Sequence, residues 1–443
     1  MSSQIANQSN DPGERFISST DSCSHYAVAL AIGSSELVCP IKPIQAVSII
    51  GAGLMGREIA AANVRAGLHV RISDVNPEVA TDAVNQILAE LRDQSVSQSG
   101  TPRDSASARI AMARTDEEIA DADLIIEAIA ERAATKTELF NRLDPHLGPD
   151  TIIATNSSSI PLKQLVASFK DPRQFCGLHF CHPVSERPLV EVVGTVNTSQ
   201  ETLRRAWRYA GSIGLAPIIV RDGPGFLLNR LLVTYFNEVV ELLFDGAAIE
   251  DLDRAALEFG MPAGPLEQLD EYGVDVALAV GRTLFWSFPS RIVPSELLIR
   301  MFKTGRHGRK TGSGFYLKSP DGLRKHLDPF VVNIITDRQQ RIDKPTVEEI
   351  RHRMFLPLLV EATRVIEDRF IESAALIDIA FNDGVGMTES FQGLFGWADS
   401  IGPARILELL RRFEPLGKRF EPTQLLLSQR SLVNYSCSGA ANR

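Results

Sequence analysis

The architecture the sequence predicts is a doubly wound α/β sheet domain followed by two all-α helical modules. Three observations carry it. Short apolar runs alternate with helical patterns between about residues 46 and 222, the order that builds a parallel sheet with helices on both faces. A glycine-rich turn, Gly51-Ala52-Gly53-Leu54-Met55-Gly56, joins the first run to an Ala-rich helical segment. From Asp222-Gly223-Pro224-Gly225 onward the chain turns helical, and the helical region recurs. Arg230…Glu238 aligns with Arg353…Glu361, and Gly260-Met261 with Gly386-Met387.

In order along the chain, residues 1–44 are rich in Ser, Asn, Asp and Gly and read as a disordered tail. The first buried strand is Ala46–Ile50, the helix after it Leu54–Arg65, with Gly67 as its C-cap and Leu68–Ile72 as the second strand. The polar stretch Asp93–Ser107 reads as a surface loop. Strands follow at Leu124–Ile126, Ile152–Ala154, Phe175–Phe180, Leu189–Val193 and Ala216–Val220, completing a domain over 45–222. The first helical module spans 223–318 and includes helices at Asn229–Phe244 and Ile249–Phe259. A polar linker covers 319–344, the second helical copy 345–430, and a frayed tail 431–443.

Composition narrows the function classes. Lys and Arg number 46 against 55 Asp and Glu, a net charge of −9, which argues against a nucleic-acid partner. Apolar residues at 44% and charged at 23% exclude wholesale disorder. No apolar run approaches the ~18–20 residues of a membrane span. Five scattered cysteines (Cys23, Cys39, Cys176, Cys181, Cys437) are no disulfide framework and fit a reducing, cytoplasmic setting. The apolar run Tyr26–Ile32 follows three acids and one base, the wrong sign for a secretory leader.

The glycine turn carries the first chemistry. Gly51 permits the tight turn, Gly53 lets the backbone approach a pyrophosphate, and Gly56 allows close helix–strand packing. The helix N-terminus behind it offers unpaired N–H groups to an anion, which an acidic protein otherwise lacks. Asp74, 18 residues past Gly56 at the end of the next strand, is placed to accept hydrogen bonds from ribose hydroxyls. A carboxylate there repels a 2′-phosphate, so NAD is favoured over NADP.

Hydride transfer from a hydroxyl carbon needs a base for the hydroxyl proton. His179 and His182 lie in Gly177-Leu178-His179-Phe180-Cys181-His182-Pro183, after which Glu191 stands alone in the apolar run Leu189-Val190-Glu191-Val192-Val193. A buried carboxylate is costly without a partner. Pairing with an imidazole would offset that cost, but residue types alone leave Glu191 free to point outward at a strand edge. Cys176, His179, Cys181 and His182 crowd into seven residues; zinc ligands usually come from separate segments, so no metal is expected. Ser157-Ser158-Ser159 lacks the elbow of an acyl-transfer nucleophile.

These residues resemble the L-3-hydroxyacyl-CoA dehydrogenase family. The resemblance runs from the Gly51 turn through Glu127-Ala128-Ile129-Ala130-Glu131, Asn156-Ser157-Ser158-Ser159-Ile160 and His179…Glu191. It continues through Asp222-Gly223-Pro224-Gly225-Phe226-Leu227-Leu228-Asn229-Arg230, Gly260-Met261-Pro262-Ala263-Gly264-Pro265 and Gly308-Arg309-Lys310-Thr311-Gly312-Ser313-Gly314-Phe315-Tyr316, about 270 residues in register. It implies a Rossmann-type sheet domain with helical modules like the C-terminal part of 6-phosphogluconate dehydrogenase. His179 is then the catalytic base and Glu191 its orienting partner. Ser158 and Asn229 would bond the substrate's C3 oxygen or the nicotinamide side of the site. Gly51, Gly53, Leu54, Met55, Gly56, Asp74, Ala130, Glu131, Lys136 and Asn156 would line the NAD site. The implied reaction is NAD-dependent oxidation of a (3S)-3-hydroxyacyl-CoA to the 3-oxoacyl-CoA, as in fatty-acid β-oxidation.

The doubled helical region is similar to that of multifunctional fatty-acid oxidation proteins. The 44 residues before the glycine turn are too few for their hydratase domain, so the chain resembles the dehydrogenase part alone. Its second copy has His352 where the first has Asn229, and a packing role is assigned to it. Where many family members have Asn-Pro after the catalytic histidine, this chain has His182-Pro183. Two other readings stay open: a dehydrogenase of a small CoA-free hydroxy acid, and a non-catalytic NAD- or acyl-CoA-binding subunit docking a separate hydratase or thiolase. A homodimer is equally left open.

Overall fold

Continuous apolar runs four to six residues long form the centre of an eight-stranded sheet, because a strand covered on both faces cannot carry an alternating polar face. The computed structural model describes residues 41–97, 108–317, 326–338, 344–388, 391–428 and 430–433. Residues 93–97 of the stretch read as a surface loop are helical; its remainder, residues 1–40, parts of the polar linker and the last ten residues lie outside those described.

The sheet domain consists of β1 (Ala46–Ile50), α1 (Leu54–Arg65), β2 (His69–Ser73), α2 (Pro77–Ser97), β3 (Ile110–Met112), α3 (Asp116–Ala120), β4 (Leu124–Glu127), α4 (Ala133–Leu143), β5 (Ile152–Thr155), β6 (Phe175–Phe180), β7 (Leu189–Gly194), α5 (Gln200–Ser212) and β8 (Ala216–Arg221). Strand order is β3-β2-β1-β4-β5-β6-β7-β8. Neighbours pair in parallel, except β6 and β7, which are antiparallel. The three-residue β3, at the sheet's edge, was not expected from the sequence; it is too short to show a period.

The helical part continues with α6 (Leu228–Phe244), α7 (Ile249–Phe259), α8 (Pro265–Tyr272), α9 (Val274–Ser287), α10 (Glu296–Lys303) and α11 (Pro329–Arg338). Then come α12 (Val347–Glu367), α13 (Ala374–Val385), α14 (Leu394–Ile401), α15 (Pro403–Phe413) and the single turn α16 (Gln424–Leu427). Helix α11 falls in the stretch read as linker. Asp328 accepts the Phe330 N–H at 2.8 Å, Pro329 opens the helix, and Val331, Ile334 and Ile335 are buried.

The repeat seen in the sequence is a repeat in space. Helices α6–α9 correspond in order to α12–α15, and in each set glycines with positive φ end the second and third helices: Gly260 and Gly273 in one, Gly386 and Gly402 in the other. Helices α6 and α12 pack antiparallel, and their aligned residues pair reciprocally. Arg230 Nε donates to Glu361 Oε1 at 2.6 Å, and Arg353 Nε donates to Glu238 Oε1 at 2.6 Å. The two copies thus meet as the halves of a twofold-symmetric interface do, with residue i of one on residue j of the other.

Candidate active site

The glycine turn is built as its spacing requires. Gly51 has φ +103°, and a Cβ there would meet the Ala128 carbonyl oxygen at 2.5 Å; one at Gly56 would meet the Gly51 oxygen at 1.8 Å. Packing therefore dictates both. At Gly53 a Cβ would meet no protein atom within 4 Å, so its bare backbone faces outward, as a cradle for pyrophosphate must. Helix α1 starts beside it with no side-chain cap and no acid in its first turn, which leaves the N–H groups around Leu54, Met55 and Gly56 for an anion. Asp74 anchors the turn: its Oδ2 accepts the Ala52 N–H at 2.9 Å and its Oδ1 that of Asn76 at 3.0 Å. It borders a cleft of about 1200 Å³ that also reaches Ile129, Thr135 and Arg142. The donors, the open backbone and the anchored carboxylate fit a dinucleotide. Arg71 is spent on Asp121, 2.9 Å away.

Antiparallel pairing of β6 and β7 sets His179 directly opposite Glu191, so the two side chains share a face. Glu191 is wholly buried, and its Oε2 lies 2.6 Å from His179 Nδ1. Its Oε1 accepts the backbone N–H groups of Leu227 and Leu228 at 2.8 and 3.1 Å, at the start of α6. One carboxylate thus holds the imidazole of the sheet domain and the first turn of the helical part. His179 Nε2, on the other side of the ring, lies 3.1 Å from Ser158 Oγ.

Ser158 is placed by a second carboxylate. Glu131 Oε1 gathers the N–H groups of Ser158 and Ser159 at 3.0 and 2.9 Å and the hydroxyls of Ser157 and Ser159 at 2.5 and 3.0 Å. Burial would raise the Glu131 carboxyl, but the Lys136 ammonium 3.1 Å away and these hydrogen bonds hold it below the usual range. Lys136, expected at the cofactor, does not offer its ammonium outward. It is 1% exposed and lies 2.9 Å from both oxygens of Glu127, so its charge orients Glu131 from behind. Asn156 Oδ1 accepts the Phe180 N–H at 2.9 Å and ties β5 to the end of β6, while Ala130 is exposed two residues past Ala128, which packs against Gly51. From α6, Asn229 Nδ2 donates to the Ser158 carbonyl at 3.2 Å.

Residues 46–223 match the family model for the 3-hydroxyacyl-CoA dehydrogenase NAD binding domain, and 225–318 match that for the C-terminal domain. The chain belongs to the 3-hydroxyacyl-CoA dehydrogenase family. It is accordingly an NAD-dependent oxidoreductase. The 3-hydroxybutyryl-CoA dehydrogenase of Escherichia coli K12 is similar over 87% of this chain and 98% of its own, at 26% identity and TM-score 0.75. The dehydrogenase part of multifunctional enzyme 1 from C. elegans is similar over 88% and 90%, at 25% identity and TM-score 0.62. The (S)-3-hydroxybutyryl-CoA dehydrogenase of Ralstonia eutropha shares 33% identity over 62% of this chain and 99% of its own, with TM-score 0.59.

The structure adds residues to this dehydrogenase's site that sequence reasoning passed over. Glu127 is buried without exposure and binds Lys136, the Thr155 hydroxyl at 2.6 Å and the Ile129 N–H at 2.7 Å. Its place in an otherwise apolar strand, as with Glu191, was the available signal. The Tyr272 hydroxyl donates to Asn229 Oδ1 at 2.8 Å and fixes which end of that amide faces Ser158. Nothing local in the sequence marks Tyr272. Of the crowded cysteines, Cys176 and Cys181 are buried, and burial pushes the Cys176 thiol up to about 12. Among the described residues, no helix is long and apolar enough to cross a membrane.

Proposed function

We propose that this dehydrogenase oxidises (3S)-3-hydroxyacyl-CoA thioesters to 3-oxoacyl-CoA, in fatty-acid β-oxidation or related acyl-CoA metabolism, with His179 as general base. The observation that carries the reading is the buried contact of 2.6 Å between His179 Nδ1 and Glu191, with Nε2 turned to Ser158. Glu191 holds the proton on Nδ1, which leaves the Nε2 lone pair to accept a hydroxyl proton. As that proton arrives, the buried carboxylate stabilises the imidazolium. Ser158 Oγ, at hydrogen-bond distance from Nε2, is positioned to share the substrate's C3 oxygen and keep its proton aimed at the base. Asn229, fixed by Tyr272, supports Ser158 from the helical side. Bound NAD supplies the hydride acceptor. In the reverse direction the imidazolium returns the proton to the new hydroxyl. An acyl-CoA substrate is supported by the similar structures, two of which bear the name 3-hydroxybutyryl-CoA dehydrogenase.

The test is NADH consumption with acetoacetyl-CoA and longer 3-oxoacyl-CoA thioesters. Wild-type protein should turn over, and His179→Ala should lose about 10²–10⁴-fold in kcat while still binding NADH. Undiminished turnover in His179→Ala, or equal rates on free 3-oxo acids, would overturn the reading.

A further inference from the structure

His182 lies two residues past the catalytic strand β6, outside the pair that handles the proton. Its ring stands between two carboxylates from different halves of the molecule. Nδ1 is 3.0 Å from Oε1 and 3.1 Å from Oε2 of Glu58, on the nucleotide-binding helix α1. Nε2 is 3.8 Å from Oε1 of Glu271, on α8 of the first helical module. Glu58 also accepts the Val184 N–H at 2.9 Å, so one carboxylate grips the chain on both sides of Pro183. Burial would raise the Glu58 carboxyl, but the hydrogen bonds from His182 and Val184 keep it below its ordinary range and ionised.

Contacts continue from this ring to the base. Glu271 is followed by Tyr272, whose hydroxyl holds Asn229 at 2.8 Å; Asn229 holds the Ser158 carbonyl at 3.2 Å; Ser158 Oγ stands 3.1 Å from His179 Nε2. We propose that His182 is a positioning residue: between Glu58 and Glu271 it clasps α1 of the sheet domain to α8 of the helical part and so sets where Tyr272 and Asn229 meet Ser158. Nδ1 is within hydrogen-bond distance of Glu58, whereas Nε2 faces Glu271 at 3.8 Å, an electrostatic contact longer than a hydrogen bond. Arg57 on α1 acts on Glu58, Arg309 lies against Glu271, Arg187, Glu191 and Asp383 act on the adjacent Cys181, and Glu186 follows on the same loop.

The proposal rests in part on the catalytic reading of His179, and two separate readouts divide them. In a double-mutant cycle of His182→Leu and Glu271→Gln, each single change should lower kcat for 3-oxoacyl-CoA reduction about tenfold, with KM for NADH nearly unchanged. The double variant should be no worse than the poorer single one, because the two residues act through one contact. Multiplying effects, or an unaffected kcat in Glu271→Gln, would overturn the clasp. Hydrogen exchange needs no turnover: in His182→Leu, amides of 182–187 and 271–273 should open together. If they stay protected the clasp is wrong. If they open but the wild-type protein turns over no 3-oxoacyl-CoA, the clasp stands and the catalytic reading falls.

Discussion

Glu191 ties the sheet and helical parts of the candidate site together in one side chain. With no exposure it would be costly to bury, and it is stabilised by the His179 ring and two backbone N–H groups. Glu191→Gln keeps the size and an acceptor but removes the charge that stabilises imidazolium. We expect kcat to fall by roughly 10²–10⁴-fold with NADH affinity unchanged, read from steady-state rates beside a binding titration. An unchanged kcat would show that the pair is structural. Burial pushes Asp270 and Asp378 up to about 6, although each accepts two backbone N–H groups. For such acids the folded state holds its proton to higher pH than the unfolded one. Their contribution to stability is therefore full below about 4 and lost as pH rises toward 6. Asp270→Asn should flatten that part of the Tm-against-pH curve; an identical slope in the variant would contradict it.

At the scale of elements, how much could be read in advance depended on whether the signal was local. Helix Leu54–Arg65 and strand Ala46–Ile50 were legible because a glycine turn and an apolar run are both short-range patterns. The helix Ile249–Phe259 was legible as a helical pattern, and the structure ends it at Gly260. Strand β3 and helix α11 were not: one has three residues and the other sits in a polar neighbourhood. In the site, His179, Glu191, Ser158 and Asn229 were named from motifs, whereas Tyr272 and Glu58 act across elements and left no spacing to find. Turn geometry also yields a prediction. Gly56→Ala places a methyl 1.8 Å from the Gly51 oxygen, so the turn and α1 must part. NADH binding should fall by more than tenfold with the helical part still folded, checked by titration and circular dichroism; binding at the wild-type level would refute the packing argument.

Over the whole molecule, the second helical copy covers the α6 face that the first copy presents. Glu238 and Glu361 are both buried, each held by arginine from the opposite copy. Arg419, beyond α15, also donates to Glu238 at 2.6 Å. Helix α13 reaches the site as well: a Cβ at Gly384 would press on Leu228, whose N–H anchors Glu191, and on Leu189, two residues before Glu191 in β7. Arg353→Met leaves Glu238 with Arg419 alone and should destabilise by about 1.5–3 kcal/mol in chemical denaturation. A loss under 1 kcal/mol would mean the pair is dispensable.

The sequence by itself determined the sheet domain, the glycine turn, the duplication and the identity of the acid and imidazole, since each is written in residues near one another or in a repeat. Only the tertiary structure decided that Glu191 points inward, that Lys136 serves Glu131, and that the two copies exchange arginines. The physical reason is the same in each case. Antiparallel pairing of β6 with β7, the burial of Lys136 against Glu127, and the crossing of α6 with α12 are set by packing between segments far apart in the chain. Local pattern carries no record of which buried charge will find which partner.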